Sequence, residues 1–177
     1  SDPKINSKLI KYVKKNGLGV FSHSNEDDIC ARLYKTCEFF DSDAILKINA
    51  DCPILELNIL NRMIKLYEEN QYIDCITNKK KFSWPMGFSA EILSKRSLEW
   101  CYNNLENPKD REFVASFITK NEKKKFKLIS IESKINHSHL NLMVDTNNDF
   151  KKIKIIFEKL YHKKKFFNFR DVVNFIK

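Results

Sequence analysis

Glycine and proline are scarce in this chain, three and four among 177 residues, and no internal repeat, low-complexity linker or domain boundary interrupts it. Hydrophobic runs are also short. None approaches the ~20 consecutive apolar residues that a membrane-spanning helix needs. The opening "SDPKINSKLIKYVKKNG" has no apolar core of the kind a secretory signal carries. The five cysteines (Cys30, Cys37, Cys52, Cys75, Cys101) are odd in number and form no C-x-x-C pair. That pattern argues against a disulfide framework or a zinc site, and for reduced, packed thiols in a cytoplasmic protein.

Arginine is rare as well: lysine supplies nearly all of the 32 basic residues behind the formal charge of +9. The lysines fall in short clusters, "NKKKF", "NEKKKFK" and "YHKKKFF", which read as loops and helix ends. No arginine-rich stripe joins them, so the charge does not define a nucleic-acid face. What is present is ordinary for one globular domain over residues 1–177, with 42% hydrophobic and 31% charged residues.

The apolar spacing alternates between two periods. "NSKLIKYVKKNG" has helical spacing through Leu9, Ile10 and Val13 and a stop at Gly17. "LGVF" reads as a short strand. "SNEDDICARLYKTCEFF" reads as an amphipathic helix behind a Ser/Asn cap and an acidic first turn, and "DAILKI" as a buried strand. "LELNILNRMIKLYEEN" is helical again and "YIDCIT" is the next strand. A turn-rich stretch, "KKKFSWPMGFSAEIL", then leads into helices at "SKRSLEWCYNNL" and "DREFVASFITKN". Strand candidates "KFKLISIES" and "LNLMV" precede a helix capped at Thr146 and a final short helix, "NFRDVVNFIK". In "KKKFFNF", Phe166, Phe167 and Phe169 are expected to pack that last helix onto the core. The alternation predicts an α/β fold with a mostly parallel central sheet and helices on both faces.

In such sheets ligands bind beyond the carboxyl ends of the strands. Asp51 follows "AILKI" and Asp145 follows "LNLMV", so both are candidates for one crevice. Two carboxylates there can hold a hard divalent cation that bridges to substrate phosphates. Each also has a plain structural reading: Asp51 as a turn residue before Pro53, Asp145 or Thr146 as a helix cap. His137 and His139 have no third ligand nearby in sequence and read as loop histidines.

Four motifs occur in order: "EDDICARLYKTCEFFDSDAILKINADCPIL", "SWPMGFSAEI", "DREFVASFI" and "LMVDTNNDF". In this order they resemble the spore-coat polysaccharide SpsF-like cytidylyltransferases, relatives of the enzymes that activate KDO and sialic acid as CMP-sugars. The resemblance runs from about Gly17 to Ile176. It implies a nucleotide-sugar-transferase-like fold of GT-A type, with transfer of a cytidylyl group from CTP to the hydroxyl of an acidic sugar, Mg²⁺ as cofactor and a role in surface polysaccharide synthesis. The sugar hydroxyl is the nucleophile, so no catalytic protein nucleophile is implied. The resemblance places Asp51 and Asp145 at the metal-binding aspartates. It places Asn78, Glu91, Arg32, Arg111 and Glu112 at substrate-binding positions, and it allows a homodimer.

The chain departs from that pattern at Ser89, Ala31, Phe113 and Asn141, where the family has Asp, Asp, His and Arg. The family's basic, Gly-containing phosphate loop has no counterpart in the first 17 residues, and the start at Ser1-Asp2-Pro3 lacks Met. A piece of a longer enzyme is therefore expected, with a weak grip on CTP by itself. The competing readings are a non-catalytic member of the same fold serving as a binding module, and a basic protein that holds nucleic acid by charge, whose binding would fall steeply with salt.

Overall fold

The computed structural model describes residues 5–120, 124–162 and 167–176. In chain order the elements are helices α1 (Ser7–Lys15) and α2 (Ile29–Phe39), strand β1 (Ala44–Ile48), helix α3 (Leu57–Glu69), and strands β2 (Cys75–Thr77) and β3 (Ala90–Ser94). Helices α4 (Lys95–Asn104), α5 (Pro108–Glu112) and α6 (Val114–Lys120) follow. Strand β4 (Leu128–Ser130) and helices α7 (Asn147–Tyr161) and α8 (Phe169–Ile176) complete the chain. These pack as two compact units, Ser1–Ile45 with Leu93–Lys127, and Leu46–Ile92 with Leu128–Lys177.

In the first unit α2 lies against α4 and α5. Cys30, Ala31, Cys37, Leu98, Cys101, Val114 and Ile118 are buried there. The cap of α2 is Asp28, whose Oδ1 accepts from the Ala31 amide at 2.9 Å, rather than the Ser/Asn expected. Its Oδ2 accepts from Arg111 Nε at 3.1 Å and Nη2 at 2.8 Å. Arg111 Nη1 also donates to the carbonyls of Tyr102 (3.0 Å) and Leu105 (2.9 Å). One guanidinium thus joins the start of α2 to the end of α4 and to α5. Helix α1 ends as expected, with Gly17 at φ 73°, a conformation that costs glycine little. Its Leu9 is exposed, and residues 18–21, expected as a strand, carry no ladder. The single helix expected over "DREFVASFITKN" is two, divided at Phe113.

The second unit has a core of Ile54, Phe88, Leu142, Ile153, Ile156, Phe169 and Val172. Helix α7 opens with a full capping box, Thr146 and Asp149 exchanging side-chain and backbone bonds. Glu56 caps two helices: its Oε1 accepts from the Asn58 amide of α3 and its Oε2 from the Phe169 amide of α8, at 2.7 Å. Phe169 is buried and Phe167 sits edge-on to Phe157 at 5.1 Å, as expected for that helix; Phe166 lies outside the described residues.

The fold is α/β, an open sheet flanked by helices, with strand order β1-β3-β2-β4. The expectation of a mostly parallel sheet is corrected. Strands β2 and β4 are parallel, but the end of β2 meets the start of β3 (Asn78 N–H to Ala90 C=O) and the start of β1 meets the end of β3 (Lys95 N–H to Asp43 C=O). Both of those pairs are antiparallel. The reason is the connection from β2 to β3, which contains no crossover helix and so turns the chain back.

Burial by itself raises the Asp28 carboxyl, but the bonds from Arg111 and the Ala31 amide outweigh it, and the group titrates below its usual value. The unfolded value is near 3.9. This contribution to stability is therefore whole above about pH 4 and is lost as pH falls through the lower folded value. Urea titrations between about pH 4 and pH 2 should show a shallower loss of stability in Asp28→Asn than in the parent. Parallel curves would show that the Asp28–Arg111 pair does not set acid stability.

Candidate active site

The candidate site is built in the second unit, where β1 gives out. The run "KINAD" alternates, so Lys47, Asn49 and Asp51 fall on one side of the chain as it leaves the strand. Lys47 Nζ donates to Asn49 Oδ1 at 2.7 Å and reaches Glu91 Oε2 at 3.3 Å. Glu91, on β3, is 3% exposed, and its other oxygen lies 3.9 Å from Lys79 Nζ. A buried carboxylate is costly unless paired, and here two lysines share it.

Asn78 is buried just beyond β2. Its Nδ2 donates to the Phe88 carbonyl and its Oδ1 accepts from the Ala90 amide at 3.0 Å. The side chain therefore replaces a missing ladder partner and fixes residues 88–90. That stretch belongs to a cavity of about 180 Å³ reached by Asn49, Cys52, Asn78, Lys79, Trp84, Phe88, Ser89 and Met143.

Met143 also lines the cavity, from a segment, residues 140–144, that is held by backbone bonds on two sides. Met86 N–H donates to Leu140 C=O and Leu142 N–H to Met86 C=O; Val144 N–H donates to Asp51 C=O at 2.9 Å. This last bond brings the chain beside Asp51 next to the residue before Asp145. Only a single bridge, Met86 to Asn141, stands where "LNLMV" was expected as a strand, so Asp145 does not follow a strand end. The cap of α7 is Thr146, which leaves Asp145 exposed and outside the capping pair.

Gly87 makes the approach possible. Its φ is 94°, and a Cβ there would lie 2.6 Å from the Leu142 carbonyl carbon. Cys52 donates its thiol proton to Asp51 Oδ1 at 3.2 Å. Burial first, then the Asp51 bond and charge, push that thiol up to about 12, so it remains a donor. The other four cysteines are also buried with raised values, and all five are free thiols, as expected.

Of the seven candidate residues, Asp51, Asn78, Glu91 and Asp145 belong to the second unit, and Arg32, Arg111 and Glu112 to the first. Arg111 spends its fork on Asp28 and two carbonyls; Arg32 and Glu112 are half-buried on α2 and α5. Sequence reasoning did not pick out Lys47, Asn49 and Lys79. The alternation in "KINAD" carried a signal for the first two, whereas Lys79 was hidden in a lysine cluster read as loop. His137 is half-buried with its ring edge-on to Phe169 at 4.9 Å, a packing role rather than a solvated one. Among the described residues, no three or more His, Cys, Asp or Glu side chains group to hold a metal ion. Asp51 and Asp145 offer at most two carboxylates, a donor set of the kind with which Mg²⁺ is held when waters and substrate oxygens supply its other ligands.

The fold is that of a nucleotidyltransferase-like α/β protein. No protein-family model matches the chain. A solved cytidylyltransferase from Leptospira borgpetersenii serovar Hardjo-bovis matches it with TM-score 0.88 and 27% identity, over 97% of this chain and 71% of that one. A CMP:2-keto-3-deoxy-manno-octonic acid synthetase complexed with CTP shares the fold, with TM-score 0.61, 10% identity, and coverage of 90% and 79%. An uncharacterized protein of Methanocaldococcus jannaschii is 26% identical over 145 residues, 81% of this chain and 57% of its own length. The chain thus spans little more than half of that curated relative. It is related to the cytidylyltransferase family.

Two substitutions test this construction. Gly87→Ala adds backbone strain and a clash with Leu142, and should cost about 2–4 kcal/mol in chemical denaturation; an unchanged midpoint would refute the close approach. Glu91→Ala leaves Lys47, which is 20% exposed, without its counter-charge. A loss of about 3 kcal/mol is expected, and a neutral effect would show that the pair does not hold this wall.

Proposed function

We propose that this chain forms the sugar-binding body of a nucleotidyltransferase that moves a cytidylyl group from CTP to the hydroxyl of an acidic sugar, for surface polysaccharide or glycoconjugate synthesis. The likeness to the Leptospira cytidylyltransferase carries the reading. The bond from the Val144 amide to the Asp51 carbonyl supports it locally, because it draws together the two segments that hold Asp51 and Asp145.

In this reading Asp51 and Asp145 hold Mg²⁺. When bound, the cation polarises the α-phosphate and screens the charge that builds on the phosphoryl oxygens. Asp51 is oriented for this from two directions, by the Cys52 thiol on Oδ1 and by the Val144 amide on its carbonyl. Asn78 keeps the 88–90 backbone in place as the far wall of the sugar pocket, and Glu91 keeps Lys79 at its rim. The sugar's own hydroxyl attacks, pyrophosphate leaves, and the protein forms no covalent intermediate.

Isothermal titration of CTP into the full-length protein, with Mg²⁺ and again with EDTA, tests the reading. Mg²⁺-dependent binding of CTP is expected, weakened about tenfold or more in Asp51→Asn and in Asp145→Asn, since each removes one anionic oxygen donor from a hard-cation site. Equal binding in EDTA removes the metal role. No binding of CTP under either condition removes the cytidylyltransferase reading.

A further inference from the structure

A basic and aromatic ridge in the first unit takes no part in the site described above. Residues 120–127 hold five lysines against one glutamate. Lys120, Lys124 and Lys125 are exposed, and none of the three makes an ion pair among the described residues. Glu99, the acid beside Trp100 on α4, is engaged with α2, where it accepts from the Tyr34 hydroxyl at 3.4 Å.

Aromatic rings lie next to these lysines. Trp100 of α4 stacks on Phe117 of α6 at 6.5 Å and 14°, and the buried Phe126 sits edge-on to both, at 5.5 and 6.4 Å. The chain turns at Lys124, φ 48°, and the next ammonium, that of Lys125, lies 4.7 Å from the centre of the Trp100 ring. Trp100 and Phe117 are half-buried, and Phe113 is 57% exposed. The Phe113 carbonyl accepts from the Phe117 amide, so positions 113, 117 and 120 share one face of α6. That face carries rings at one end and a cation at the other.

Long-stemmed lysines beside half-exposed rings suit a surface that rests on anionic lipid. The rings reach the headgroup level and the ammonium groups meet the phosphates. Single-stranded nucleic acid is the less fitting polyanion, because its bases need a free ring face. Here Lys125 and Phe117 already engage Trp100, and Phe126 is buried.

We propose that the ridge formed by Phe113, Phe117 and Trp100 with Lys120, Lys124 and Lys125 docks the protein reversibly on a bilayer rich in anionic phospholipid. Among the described residues no helix is long and apolar enough to cross a membrane, so the contact is peripheral. The inference goes beyond the cytidylyltransferase reading and does not depend on it.

The test is co-sedimentation of the full-length protein with vesicles of phosphatidylcholine alone and of an equal mixture with phosphatidylglycerol. Binding to the mixed vesicles alone is expected, and it should be lost in concentrated salt. The triple variant Lys120→Gln, Lys124→Gln, Lys125→Gln should bind about a hundredfold more weakly, at about fivefold per lysine. Phe113→Ala, at an exposed position, should weaken binding about threefold. Since the whole chain carries +9, a matched triple on α1, at Lys8, Lys11 and Lys14, serves as the control and should change binding less than about twofold. Equal weakening by the two triples would mean attraction by net charge alone and would overturn the proposal. So would salt-independent binding, binding to phosphatidylcholine alone, or no binding to either vesicle. Polyuridylate held through the same three lysines, with the mixed vesicles left unbound, would give the ridge to nucleic acid instead.

Discussion

The second unit depends on one short piece of backbone, residues 140–144, being held between two others. Met86 bonds to it on one side and Asp51 on the other, and Gly87 lets the chains approach to a distance that no side chain would permit. These are main-chain bonds, so they fix position without regard to side-chain identity. The cavity wall at Met143, the placing of Asp145 and the entry into α7 all follow from that clamp. So does the core below it, where Leu142 is fully buried among Phe88, Ile153 and Phe169.

Polar groups inside each unit are accounted for in a similar manner. In the first, Asp28 and Arg111 carry opposite charges, and the hydrogen bonds they make to the backbone fall at helix ends: an amide of α2, and carbonyls in the last turn of α4 and just beyond it. In the second, Asn78 serves two backbone groups of the β3 approach, and Glu56 caps α3 and α8 at once. A buried polar side chain with both ends bonded removes the penalty that an unpaired one would impose, and it also fixes which segments meet. Glu91 differs because its partners are two flexible lysines, one of which faces the cavity.

The site also explains why charge totals say little about this chain. A net charge of +9 is spread over many lysines, yet Lys79, one of three in a row, is set apart by its place in the cavity lining and its 3.9 Å approach to Glu91. Likewise the thiol beside Asp51 has no redox signature. Burial and the neighbouring carboxylate keep it protonated, and its effect is to orient an oxygen.

By itself the sequence determined those features that depend on neighbours a few residues apart. The 3.6-residue spacing and the caps at Ser94 and Thr146 mark α4 and α7, Gly17 marks the end of α1, and the apolar runs mark β1 and β2. The order of motifs pointed to the cytidylyltransferases. Tertiary structure alone decided what depends on distant partners. Strand direction is one such feature, because an apolar run pairs equally well either way and only the helix-free β2–β3 connection turned the chain back. The failure of "LNLMV" to form more than one bridge is another, since a strand needs a neighbour along its whole length. The meeting of Asp51 with residue 144 is a third: 93 positions separate them, and a hydrogen bond across that span leaves no periodic mark in the sequence.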